Sequence, residues 1–145
     1  MMKLISVTFI TIIIFAGCNV KSKNTDQGTH NVMADQSTPQ NLAECIFKAA
    51  QSGDLSQLKN ICDLPSEADK DSKDICGIIN ADDESKESFK IYYSNGKVDG
   101  EPVIEGDKAS VNIKLSPSES SMIFVRKVFK MVKKDDKWFL IGVSK

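Results

Sequence analysis

The stretch KASVNIKL (residues 108–115) alternates without a break. Ala109, Val111, Ile113 and Leu115 fall on one side, and Ser110, Asn112 and Lys114 on the other. A period of two marks a strand with one face buried and the other in water. Such a strand belongs to an antiparallel sheet covered on one side. Its surroundings agree. Gly106-Asp107 supplies a turn before it, and Ser116 to Ser121, with Pro117, a loop after it. MIFVRKVFKMVK (122–133) reads as a long strand, KDDK (134–137) as its turn, and WFLIGV (138–143) as the returning last strand. SFKIYYSNGK (88–97) also reads as a strand, closing on an Asn95-Gly96 turn.

Upstream the period is different. QNLAECIFKAAQS (40–52) places Leu42, Cys45, Ile46 and Ala49 at i, i+3, i+4 and i+7, one face of a helix. Gly53 is suited to end it, and Asp54 to cap a second helix, DLSQLKNIC (54–62), with Leu55, Leu58, Ile61 and Cys62 on one side. Pro65 ends that helix, and a third helical piece is expected through 66–80, burying Ile75, Cys76 and Ile79. The expected class is therefore α+β: two or three N-terminal helices packed on a curved antiparallel sheet of about four strands.

The first residues serve another purpose. Met1-Met2-Lys3 carries one positive charge, and Leu4 to Phe15 is apolar but for Ser6, Thr8 and Thr11. A run of that length is too short for a stable bilayer span, which takes about 20 residues. A charged start, a short apolar core and small residues at the end make a secretory signal. This one ends Phe15-Ala16-Gly17-Cys18, which resembles the lipobox of bacterial lipoproteins, although that pattern prefers Leu where this chain has Phe15. The resemblance implies removal of residues 1–17 and acylation of Cys18. One acyl chain anchors only marginally, whereas two or three hold a protein at a membrane face. Residues 18–39 then read as a lipidated flexible tether, poor in large apolar groups, and residues 40–145 as the folded domain. The expected location is the cell envelope, lipid-anchored and facing the periplasm or the cell exterior. Asn19 resembles the signal for the outer membrane where two membranes are present.

Three cysteines follow Cys18: Cys45, Cys62 and Cys76. An exported chain permits disulfides, and three thiols allow one bridge and one free group. We expect Cys62–Cys76, closing a loop of roughly 15 residues, with Cys45 a buried thiol. The rival pairing is Cys45–Cys62, across two antiparallel helices. No C-x-x-C or histidine partner suggests zinc, and His30, the only histidine, lies in the tether. DKDSKD (69–74) gathers carboxylates, but neither the glycine nor the glutamate of a calcium loop is in register. No metal or cofactor is expected.

Net charge is −1, which gives no reason to expect nucleic acid. Charge is uneven, however. Residues 63–87 hold nine acids against three lysines, and residues 126–137 carry Arg126, Lys127, Lys130, Lys133, Lys134 and Lys137. Two solvated faces would account for both.

Three short stretches resemble one family. AAQSGDLSQLKNIC resembles its opening, in which a helix leads through Gly-Asp into a second helix. IEGDKASVNIKL resembles its Gly-Asp-x-Ala-x-Val hairpin, and FKMVKKDDKWFLIGV its final hairpin with a lysine-rich turn before Trp. The family is the lumazine-binding-like group of small bacterial lipoproteins, within the nuclear-transport-factor-2-like (cystatin-like) superfamily. The resemblance spans residues 40–145. It implies a cone whose sheet and helices enclose a pocket, and it offers no catalytic residues to carry over. Some relatives of that superfamily catalyse isomerisation or dehydration. An isomerase needs a carboxylate base and an oxyanion donor. On a strand, one of Tyr92 and Tyr93 would face inward, but most carboxylates fall in turns or in the acidic segment. Trp138, at the start of the last strand, reads as core packing, with ligand stacking the alternative. The expectation is a non-catalytic module that binds a small apolar ligand or an envelope protein. The alternative is an inhibitor or immunity-type lipoprotein that binds one specific protein.

Lipidation makes the first prediction. Cys18→Ala is expected to leave an unprocessed or soluble chain. Membrane fractionation checks this, because a variant that still matures and sediments with membranes excludes acylation at Cys18.

Overall fold

The computed structural model describes residues 34–145. Thr38 opens the first helix, α1 (Pro39–Ser52): its hydroxyl accepts from the Asn41 amide at 3.0 Å, and Pro39 occupies the first turn, where a missing N–H costs nothing. Gly53 closes α1 in the left-handed region at φ 74°, and its amide bonds the Ala49 carbonyl. One face of α1 is buried: Leu42, Ala43, Ile46, Phe47, Ala49 and Ala50 join the core, and Phe47 stacks on Phe129 with centroids 6.2 Å apart.

Beyond Gly53 the structure departs from the expected second helix. Asp54 does cap, accepting from the Ser56 amide, but only one 3-10 turn follows, Leu55–Leu58. Asn60 then takes φ 64°, and the chain runs extended through Ile61 and Cys62. There the backbone itself is the better partner. The Leu140 amide donates to the Ile61 carbonyl at 2.8 Å, and the Asp63 amide to the Leu140 carbonyl at 2.9 Å, a parallel bridge centred on Cys62.

The third helical piece is α2 (Lys70–Gly77), prolonged by a 3-10 turn, Ile78–Asn80. The segment 88–97, expected as a strand, is instead mostly the end of α3 (Asp83–Tyr93). Asp82 caps α3 through the Ser85 amide, Asp83 and Glu84 oppose the positive end of its dipole, and Phe89 and Tyr93, four apart, are both buried. The aromatic and β-branched residues that suggested a strand include Ile91 and Tyr92, which lie exposed. A turn does occur here, one residue earlier than expected, at Ser94-Asn95 with the Gly96 amide donating to the Tyr93 carbonyl at 2.9 Å, and it ends a helix. Gly96 is required by proximity: a Cβ there would lie 2.3 Å from the Phe47 ring.

The sheet is antiparallel throughout: β1 (Lys97–Val98), β2 (Val103–Glu105), β3 (Lys108–Leu115), β4 (Val125–Lys134) and β5 (Lys137–Ser144), in the order β1-β3-β4-β5, with β2 also paired to β3. Five strands thus make a sheet four strands wide, because β1 and β2 share one edge of β3. The long strand starts at Val125, leaving Met122, Ile123 and Phe124 outside it. Asp135 and Asp136, both left-handed, form the two-residue turn between β4 and β5. A register shift at Lys130/Met131 resets the phase of β5, so Trp138, Leu140 and Val143 are all buried despite unequal spacing. Trp138 is core.

The last stretch assigned to the tether also packs. Gln36 is buried, its amide donates to the Trp138 carbonyl at 2.8 Å, and the Trp138 amide donates back to its carbonyl at 2.9 Å. Segments 36 and 61–63 thereby cover the outer edge of β5, which would otherwise present unpaired groups.

Cys62 and Cys76 form the disulfide, with Cα atoms 6.0 Å apart, and Cys45 is a buried free thiol. The expected pair is present, but Cys62 sits on the extended edge segment and not on a helix. The bridge therefore ties α2 to the sheet edge. Replacing both cysteines with serine is expected to lower unfolding free energy by about 3 kcal/mol, read as a lower urea midpoint. An unchanged midpoint excludes a structural role for the bridge.

Candidate functional site

A cleft of about 780 Å³ opens between α2, α3 and the end of the sheet where β3 stops and β4 starts. Its apolar lining comprises Ile75 and Ile78 from the α2 region, Phe89 and Tyr93 from α3, and Leu115 and Val125 from the sheet. Phe89 and Tyr93 stack with centroids 4.7 Å apart, a consequence of their i, i+4 spacing. Leu115 and Val125 are cross-strand partners.

Register adds one polar group. The inward residues of β3 oppose Met131 (from Ala109), Phe129 (from Val111), Lys127 (from Ile113) and Val125 (from Leu115). Lys127 therefore stands in an apolar row on the covered face, with its side chain only 17% exposed. It pairs with Asp71 of α2, whose side chain remains 44% exposed. An ammonium on a covered face needs such a partner, because burying a charge unpaired is costly. At the rim, Lys70 and Asp74 pair at 2.6 Å.

Burial, together with the charges of Asp71, Asp74 and Asp69, pushes the Tyr93 phenol far above its ordinary range. It is protonated at neutral pH and can act as a donor. Asp69 anchors α2. Burial opposes its ionisation, but bonds from Ser72 and from the Val143 amide (2.9 Å) outweigh that, and its carboxyl is held below the usual carboxylate range.

The residues singled out by sequence scatter. Cys18 and His30 lie outside the described residues. Cys62 and Cys76 brace the cleft wall from behind. Tyr92 and Tyr93 lie on a helix, not a strand, and both line the cleft: Tyr93 is buried and Tyr92 is exposed at its border. No group of three or more His, Cys, Asp or Glu side chains suited to a metal ion occurs among the described residues. Lys127 was missed. Its signal was a lysine in the inward series Val125, Lys127, Phe129, Met131, which becomes meaningful only once the strand's phase is known.

The acidic and basic segments are partly joined: Lys134 pairs with Asp63, and Lys127 with Asp71. Among the described residues no helix is long and apolar enough to cross a membrane. No protein-family model, curated protein or solved structure matches this chain.

Asp69 makes the next prediction. Its folded pKa lies below the ordinary value of 3.8, so its contribution is present above that pH and is lost as pH falls through the lowered value. Asp69→Ala, which removes the α2 cap, is expected to cost about 1–2 kcal/mol at neutral pH and less in acid. Urea midpoints measured at about pH 7 and about pH 3 check this. An equal loss at both excludes the carboxylate as the cause.

Proposed function

We propose that this chain is a lipid-anchored envelope protein, held through Cys18, whose domain binds a small, largely apolar ligand without transforming it. The cleft carries the reading: a concavity of about 780 Å³ lies within the common size range of ligand sites, and it joins an apolar wall of Ile75, Ile78, Phe89, Tyr93, Leu115 and Val125 to a border of charged side chains. The nuclear-transport-factor-2-like resemblance supports it, since the cone of that superfamily holds its pocket between helices and sheet. The antiparallel sheet covered by helices on one face, with its register shift in β4/β5, is compatible with such a cone. An isomerase-like activity is the weaker reading. Of the carboxylates that line the cleft, Asp71 and Asp74 are each engaged by a lysine, and Glu84 lies exposed in the first turn of α3, so none stands as a buried free base. The location we propose is the periplasmic or exterior side of a membrane, the outer one where there are two.

A second reading has one observation of its own. Met122 and Ile123 are 93% and 77% exposed, and Phe124 lies beneath Lys114 and Arg126, whose charged groups sit 4.9 and 4.8 Å from its ring. An apolar run of this kind suits a protein partner, as in an inhibitor or immunity-type lipoprotein.

Native mass spectrometry of the protein incubated with a small-molecule extract of cell envelopes tests the proposal. A bound adduct is expected, and Val125→Trp, which fills the end of the cleft, is expected to abolish it. An adduct unaffected by Val125→Trp places the ligand elsewhere. No adduct, together with a captured envelope protein lost on Ile123→Asp, favours the second reading.

A further inference from the structure

The cleft has a polarity as well as a volume. Of the polar side chains that line it, Tyr93 and Lys127 are the most buried and both offer donors, whereas Lys70, Lys73, Asp74, Glu84 and Lys145 lie exposed. The carboxylate facing Lys127 belongs to the more exposed side chain of the pair, 44% against 17%. Lys127 is fixed by its strand: it follows from the Ile113–Lys127 register, and its neighbours in the inward row are Val125 and Phe129. Asp71 stands in the first turn of α2, where water can take over its solvation if the pair opens. Exchange is thus asymmetric. An incoming anion can displace Asp71 into solvent, whereas an incoming cation would have to displace Lys127 from a covered strand position.

We propose that the cleft binds amphipathic monoanions, with a carboxylate-like head seated on Lys127 in place of Asp71 and an apolar body along Phe89, Tyr93, Leu115 and Val125. This rests on the reading of the cleft as a ligand site and adds the ligand's chemical class. Charge-assisted bonds from an ammonium to a carboxylate are about twice as strong as neutral ones, so the head supplies selectivity while the body supplies apolar burial. Opening the Lys127–Asp71 pair leaves neither charge stranded, because the incoming carboxylate takes over the covered ammonium while the more exposed Asp71 returns to water. The binding step is non-covalent and leaves both partners unchanged.

Three probes of equal chain length test it: decanoate, decanol and decyltrimethylammonium. They are titrated calorimetrically, below their aggregation limits, into the chain lacking residues 1–17 and carrying Cys18→Ala. The core residues among those described lie between Leu42 and Val143, so this form keeps all of them. Decanoate is expected to bind at least about tenfold more tightly than decanol, and the ammonium most weakly. Lys127→Met is expected to bring decanoate level with decanol. Asp71→Asn, which removes the competing carboxylate, is expected to tighten decanoate several-fold while leaving decanol unchanged; a purely structural ion pair would give weaker binding of both. Decanol bound as tightly as decanoate overturns the anion subsite and leaves the apolar cleft standing. Failure of all three probes overturns both. Should Lys127→Met melt early, Asp71→Asn decides alone: unchanged or weakened decanoate binding refutes the proposal.

Discussion

Two backbone hydrogen bonds, Leu140 amide to Ile61 carbonyl and Asp63 amide to Leu140 carbonyl, set the position of one wall of the cleft. They dock an extended segment on the outer edge of β5, and Cys62, at the centre of that segment, carries the disulfide to Cys76 on α2. Asp69 adds a second tie, from the cap of α2 to the Val143 amide. α2 is a short helix with few buried side chains, Ser72 and Ile75. A helix of eight residues is marginal on its own propensity. Its place is therefore held by the covalent bridge and the cap more than by packing, and the cleft exists where those ties stop.

The opposite wall follows a different logic. α3 is fixed by Phe89 and Tyr93 and by its contacts with α1, while Gly96 lets the chain pass against the Phe47 ring. Phe47 in turn stacks on Phe129 of β4. The core is continuous through α1 and the middle of the sheet, and it thins toward the Leu115–Val125 end. There Lys127 replaces the apolar residue that would extend the row, and a charged group at that position is incompatible with a dry, closed core. The cavity and the lysine are two consequences of one local sequence choice.

Periodicity made much of the architecture legible. The buried face of α1, the Gly53 and Asp54 caps, the inward row of β3 and both C-terminal hairpins follow from side-chain spacing and turn chemistry. α3 did not, because SFKIYY is rich in strand-forming residues and its helical signal is only one i, i+4 pair, Phe89 and Tyr93, plus an N-terminal cap. The stretch after Leu58 was misread for another reason. Leu55, Leu58, Ile61 and Cys62 fit a helix, yet the edge of β5 offered the same backbone better-placed partners, and no local rule reports a partner almost eighty residues away. The Cys62–Cys76 pairing was anticipated, although Cys62 reaches it from an extended segment. Trp138, expected as core, gave no hint of its exchange of bonds with Gln36. The cleft was least legible, since Lys127 declares itself only after β3 and β4 are in register.

Charge placement completes the account. The acids of residues 63–87 are spent on specific tasks: Asp69 and Asp82 cap helices, Asp83 and Glu84 face a helix dipole, and Asp63 and Asp71 reach lysines of β4. Most of these pairs are wet and contribute little stability. The Lys127–Asp71 pair differs in where its cation stands. Burial and the neighbouring acids keep the Tyr93 phenol protonated. The interior of the cleft thus presents donors while its acceptors remain at the rim. A molecule that enters with its own acceptor leaves no buried donor without a partner, whereas a wholly apolar one would sit beside an ammonium still tied to Asp71. On the proposed reading of the cleft as a ligand site, that difference makes its polarity count beside its size.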